Sequence, residues 1–375
     1  MRKRYISAVI VAILIIALST LSASAQDISD LEKSVDDLMS SLSDEVIADL
    51  ERIGANSTDL IDLQNVSFDK VVNLILDKFS DNSAGALSAC AVVIAILILN
   101  ALIDSYKDAL RQSSMQEVLS VVSTLCITTT LVLPIIDLIS DSIATITDAA
   151  NFMLIYIPIM VAILTFSGQA VTGASYYSMM VLACQGVSQL STKFISPLLN
   201  VYLGFCVSSS ITDRVNLRSL CQMFSKVIKW LISFTMTVFS ALMTIRGMIT
   251  TAYDSVTARA VRFTMSSFIP IVGAALSESY KTIQGSINLL RTGAGVFVIL
   301  AILVVFLPTI IRCLLWLMSV NICKSVGEII GVTSPINMLT SVSSVISTIF
   351  AITVCIMSVF VISTALLITL GGGAH

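Results

Sequence analysis

Histidine is almost missing from this chain. The single one, His375, is the last residue. No HExxH pair exists, which removes the commonest helical zinc-hydrolase arrangement. There is no GxxxxGK[ST] loop to cradle nucleotide phosphates and no GxSxG nucleophile elbow. Eight cysteines are present, but no two stand at CxxC spacing, and none lies between Gln26 and Ala84. Cys126, Cys184, Cys206, Cys313 and Cys355 sit in or beside apolar stretches, and Cys90 opens the first of these. They read as small buried hydrophobes rather than a disulfide framework or a zinc site. Charge is scarce too. Only 12% of the residues are charged, against about 25% in a typical soluble domain. These absences point to a non-enzymatic chain with no catalytic residues, no cofactor and no metal.

What is present is apolar: 56% of 375 residues. A soluble protein of this size still has to cover its surface with polar groups. The composition therefore reads as an all-α, polytopic integral membrane protein with the lipid bilayer as its first partner. Isolated strands cannot satisfy their backbone in lipid, and these segments are apolar on all sides rather than alternating.

The order of segments orients the chain. Residues 1–25 read as a signal peptide: Arg2, Lys3 and Arg4, then the apolar stretch Ile6 to Leu18, then Ala23-Ser24-Ala25 before Gln26. Residues 26–84 form an acidic, extracytoplasmic helical region. Between Gln26 and Ala84 stand fourteen Asp and Glu against four Lys and Arg, a balance of −10. That charge argues against nucleic acid binding by the chain itself. Leu31, Val35, Leu38 and Leu42 recur at helical spacing, and Asp44 is placed to cap a helix entering Val46–Ile53. Two readings stand for this region: a helical cap on the membrane domain, or a docking surface for another extracytoplasmic protein.

Residues 85–375 read as a multi-span membrane domain. Spans fall near 87–103, 118–136, 151–167, 171–190, 194–210, 230–250, 293–311 and 342–370, so about seven to eight are expected. The 171–190 span, rich in Gly, Ser and Gln, is the weakest. With eight spans and an external start, the cytoplasmic loops hold Lys107, Arg111, Arg214, Arg218, Lys226, Lys229, Arg312 and Lys324. The outside loops hold Lys193, Arg259, Arg262, Lys281 and Arg291. This bias follows the positive-inside rule. The 137–150 loop, with Asp137, Asp141 and Asp148 and no basic residue, belongs outside.

One stretch is too polar for a simple span and too apolar for a solvated loop. From Asp254 to Val298, two amphipathic helices flank the break Phe268-Ile269-Pro270-Ile271-Val272-Gly273. Ser255, Arg259, Arg262 and Ser266 share one helical face. Leu276, Tyr280, Ile283, Ile287 and Leu290 share another, with Glu278 and Lys281 elsewhere. The pattern predicts a re-entrant or interfacial hairpin over 254–291. Such backbone persists at membrane depth only against protein or water. The candidate pore or assembly residues are Arg246, Arg259, Arg262, Pro270, Gly273, Glu278 and Lys281. Arg246, near the end of an apolar span, either faces protein or snorkels to the interface.

The segment DSVTARAVRFTMSSFIPIVGAALSESYKTIQGSINLLRTGAGVFV (254–298) resembles the most distinctive region of the stage III sporulation protein AE family. IPIMVAILTFSGQAVTGASYY (157–177) is similar to another part of it. The resemblance covers residues 86 to the C-terminus and includes the order of parts. It implies a membrane core subunit of the mother cell–forespore channel, a secretion-like complex needed for endospore development. It implies residence in the mother-cell-derived outer forespore membrane. It also implies partners: the other stage III sporulation A-operon proteins, including a secretion-type ATPase that energises the complex and ring-forming proteins, and indirectly stage II sporulation protein Q. The alternative is a stand-alone secondary transporter or permease, which predicts an internal inverted repeat. A scaffold that only anchors ring proteins through residues 26–84 is a third reading.

Overall fold

The computed structural model describes residues 38–55, 57, 63, 66–105, 113–211, 218–268, 273–331 and 333–370. The expected signal peptide lies outside them. The described residues are helical, without strands. A short helix α1 (Asp44–Ile53) precedes α2 (Phe68–Ser105), α3 (Ser113–Phe166) and α4 (Ala170–Leu190). A single π-helical turn, Ser191–Ile195, leads directly into α5 (Ser196–Ile211). Then come α6 (Arg218–Phe268), α7 (Gly273–Ile330) and α8 (Thr333–Leu370).

Local chemistry sets the ends. Ser43, not the expected Asp44, caps α1: its Oγ accepts from Val46 N at 3.4 Å. Asp44 and Glu45 are then free to occupy the first turn, where the helix dipole favours acids. Gly54 closes α1 at φ 95°, with Gly54 N donating to Glu51 O and Ala55 N to Leu50 O. The same closure ends α3. Gly168 has φ 78°, its N–H reaches Thr165 O at 3.0 Å, and Gln169 N reaches Leu164 O at 2.8 Å. Both are glycine-dependent Schellman caps.

Six helical runs are long and apolar enough to cross a membrane, by length and composition. Of the expected seven to eight spans, two pairs lie on continuous helical runs. Stretches 118–136 and 151–167 belong to one continuous helix, α3, so 137–150 is helix and not a loop. Stretches 171–190 and 194–210 join through the π turn, and Lys193 rides on that turn. Pro134, Pro158 and Pro308 lie inside helices, where each removes one backbone donor without ending the run. Helix α2 likewise runs unbroken through Ala84.

Contacts fix the directions. Thr145 and Asp141 of α3 meet Thr309 and Arg312 of α7, so these helices are antiparallel. Asn82 and Cys90 of α2 meet Arg312 and Cys323, so α2 runs parallel to α7. Arg291 meets Ile368 and Asn321 meets Ser343, so α8 is antiparallel to α7. The main hydrophobic core runs through the bundle, with Ile139, Tyr156, Phe297, Phe306 and Phe360 buried. The Arg312–Asp141 pair corrects the topology expected above. A cytoplasmic Arg312 and an external Asp141 cannot pair, and they do.

Helix α1 docks beside that pair. Lys78 of α2 lies 2.7 Å from Glu45 and 2.8 Å from Asp49. Lys78 is 8% exposed and Asp49 3%. The Lys78 hydrogen bond and charge hold the Glu45 carboxyl below its ordinary value. A cavity of about 760 Å³ opens between these groups and the Asp141–Arg312 layer.

Candidate functional site

The two segments that carry the family resemblance meet at one end of the bundle. The α3–α4 turn, Ser167-Gly168-Gln169, is held from both sides. The N-cap residue of α4, Gln169, makes no side-chain cap. Asp254 of α6 supplies it instead: its Oδ1 accepts from Val171 N at 3.2 Å and its Oδ2 from Thr172 N at 2.8 Å. A carboxylate at a helix N-terminus meets unpaired N–H groups and a favourable dipole. Asp254 is 5% exposed, and these two hydrogen bonds offset part of what burial of its charge costs. From the other side, Gln284 of α7 donates through Nε2 to Ser167 O at 3.0 Å. That carbonyl lies in the closing turn of α3.

Arg291 lies two turns further along α7 and is 2% exposed. Its Nη2 donates to Ile368 O at a long 3.4 Å. Its Nε and Nη1 have no hydrogen-bond partner among the described residues. The nearby Tyr156 hydroxyl has none either. Among the described residues no carboxylate forms an ion pair with Arg291. Close packing encloses it. Gly295, one turn on, leaves room for Ile368: a Cβ there would stand 2.5 Å from Ile368 Cδ1. Helices α7 and α8 therefore pack backbone to side chain around the guanidinium. A buried cation without a counter-ion is costly and marks a functional position in membrane-embedded helices.

The expected residues are distributed differently. Arg246 is exposed on α6 and lines a cleft with Thr172, Ser175 and Thr250. Arg259 is exposed on α6. Arg262 lies near the end of α6, and Gly273, Glu278 and Lys281 lie in the first turns of α7; only their backbone is described. Pro270 falls outside the described residues. Helix α6 ends at Phe268 and α7 begins at Gly273, so the 254–291 segment forms the adjoining ends of two long helices. Sequence reasoning placed Arg291 in an outside loop and did not single out Asp254, Gln284 or Tyr156. A signal for Arg291 existed: Thr292-Gly293-Ala294-Gly295 follows it, a run of small residues that permits close helix approach.

Comparison with known proteins agrees with the resemblance. A family model described as stage III sporulation protein AE matches residues 56–371. Among curated proteins, stage III sporulation protein AE of Bacillus subtilis (strain 168) is 22% identical over 146 residues. That alignment takes in 39% of this chain and 37% of the relative, so it spans well under half of the relative's length. No solved structure matches.

Proposed function

The chain belongs to the stage III sporulation protein AE family, a family named for sporulation, and from that premise we propose that it is a membrane core subunit of the mother cell–forespore channel. On this reading it is non-enzymatic, and a separate secretion-type ATPase energises the complex. It resides in the mother-cell-derived outer forespore membrane, with its N-terminal region extracytoplasmic. Its partners are the other proteins of its operon, ring-forming proteins among them, and stage II sporulation protein Q indirectly.

One observation carries the choice of a subunit over a stand-alone transporter. Helix α6 presents exposed apolar side chains along its length, including Met223, Trp230, Phe234, Ile245, Tyr253 and Phe263, interrupted near its end by the exposed Arg259. At 1.5 Å per residue they extend over about 60 Å. The hydrocarbon of one bilayer is about 30 Å thick. Lipid of one membrane covers about half of that length, and the remainder needs protein. A stand-alone permease has no such cover to offer.

Photo-crosslinking from α6 in sporulating cells tests the reading. The full chain would carry a photo-reactive residue at Trp230 in one strain and at Phe263 in another. Adducts to another protein of the complex from at least one of the two positions are expected. Adducts to lipid alone from both would remove the subunit reading and favour the transporter.

A further inference from the structure

We propose that the groove between α4 and α6 is a specific site for an anionic phospholipid, with an acyl chain along the groove and the phosphate on Arg246. The proposal goes beyond the channel reading and does not depend on it.

The groove has a volume of about 610 Å³ and is lined largely by apolar side chains. Leu182, Gly186, Leu190 and Ile195 form one wall, and Met236 and Phe239 the other. That volume lies within the roughly 300–1,000 Å³ range of small-molecule sites. From Ser178 to Ile195 the helix rises about 25 Å. One leaflet of a bilayer is about 15 Å of hydrocarbon, so a whole chain fits lengthwise.

One end differs from the rest. Arg246 lines the groove and also the adjoining cleft that holds Thr172, Ser175 and Thr250. It is exposed, and no carboxylate among the described residues pairs with it. An exposed cation at one end of an apolar slot matches an amphiphile with an anionic head. Arginine binds phosphate oxygens through its planar fork. The head end lies in the first turns of α4 and the slot runs toward the π turn, which is the direction a lipid takes from headgroup to chain.

Native mass spectrometry of the full chain, released from detergent with phosphatidylglycerol or with phosphatidylcholine of the same chains, tests this. Wild type is expected to retain phosphatidylglycerol about tenfold better, the scale of one charge-assisted contact. Arg246→Gln should erase the preference, lowering retention of phosphatidylglycerol more than that of phosphatidylcholine, whose phosphate is already offset by choline. Gly186→Trp should abolish retention of both lipids. Gly186 lines the groove, and nothing stands within 4 Å of a Cβ placed there, so the ring enters the slot without displacing the fold. Gly204→Trp, at an equally open position outside the groove, should bind like wild type. If Gly186→Trp fails to elute as wild type does, Leu182→Trp replaces it. Equal retention of the two lipids by wild type overturns the proposal. So does unaltered preference in Arg246→Gln, or unaltered retention in the groove-filling variant. A cysteine at position 186 that crosslinks to a second copy of the chain also overturns it.

Discussion

Arg291→Met separates what this residue does for the fold from what it does for function. Arginine at this site has two unmet guanidinium nitrogens and one long hydrogen bond. Each buried donor left without a partner costs about 1–3 kcal/mol. Burying the charge itself costs several more, and no carboxylate among the described residues offsets it. Methionine keeps the length of the side chain, removes the charge and adds apolar contact with Ile368. Replacing a buried ion by a hydrophobe of similar volume is neutral or stabilising by about 1–4 kcal/mol. The variant is therefore expected to unfold at the same temperature as wild type or higher, read by scanning fluorimetry in detergent. Arg291→Ala should be less stable than Arg291→Met, because it leaves a cavity as well. If the charge is kept for function, Arg291→Met accumulates in the membrane normally and spore yield collapses. Two results refute the reasoning. A marked fall in unfolding temperature would mean that Arg291 holds the bundle together. Normal spore yield would mean that the buried cation has no role in the proposed channel.

Other residues give shorter tests. Asp254→Ala removes the carboxylate that caps α4 and should cost about 1–3 kcal/mol, with loss of amide protection at Val171 and Thr172; unchanged exchange there would contradict the capping role. Lys78→Ala leaves buried Asp49 with only the exposed Arg52 at 4.0 Å, a loss of up to about 3–5 kcal/mol, and should speed trypsin cleavage after Arg52 as α1 lifts away. The Glu45 carboxyl titrates below its ordinary value in the fold, so its contribution is present above the unfolded value of 4.5 and lost as pH falls through the lower folded value. Amide protection over Asp44–Ile53 should therefore weaken below about pH 4.5, and Glu45→Gln should flatten that dependence. Gly295→Leu should destabilise by about 1–3 kcal/mol through overpacking against Ile368, and Ile368→Ala should relieve it.

How legible all this was depended on the range of the interaction. The helical class, the membrane setting and the family follow from composition and from two contiguous segments. Span boundaries do not. Asp137, Asp141 and Asp148 suggested a loop, but in a long helix such charges find partners on neighbours, and Arg312 serves Asp141 from 171 residues away. The dip at 191–195 looked like a loop between spans, whereas a π turn absorbs it without breaking the helix. The α4 cap comes from Asp254, 82 residues from Thr172, and no local pattern announces it. Arg291 looked like a loop charge because burial depends on which helices close around it.

The paired charges also explain why the bundle is longer than a bilayer. Helix α3 has 54 residues and helix α7 has 58, so both exceed 80 Å, roughly. Asp141, Arg312 and Asn82 cross-link three helices at one level, with Lys78, Glu45 and Asp49 beside them. This level divides the apolar length in two. On one side α7 runs uncharged from 292 to 311, ending at Arg291. On the other, α2 runs uncharged from 82 to 103 and α3 from 118 to 136. Each stretch matches the roughly 20 residues that cross one hydrocarbon layer. A single flat bilayer covers one side of the paired layer and leaves the other. A phospholipid in the α4–α6 groove would put the Arg291 side in lipid. Exposed faces on the far side, such as Leu99 and Leu133, then call for protein. Apolar area of that extent without cover drives association, so the shape of the chain itself favours a subunit over a molecule that works alone.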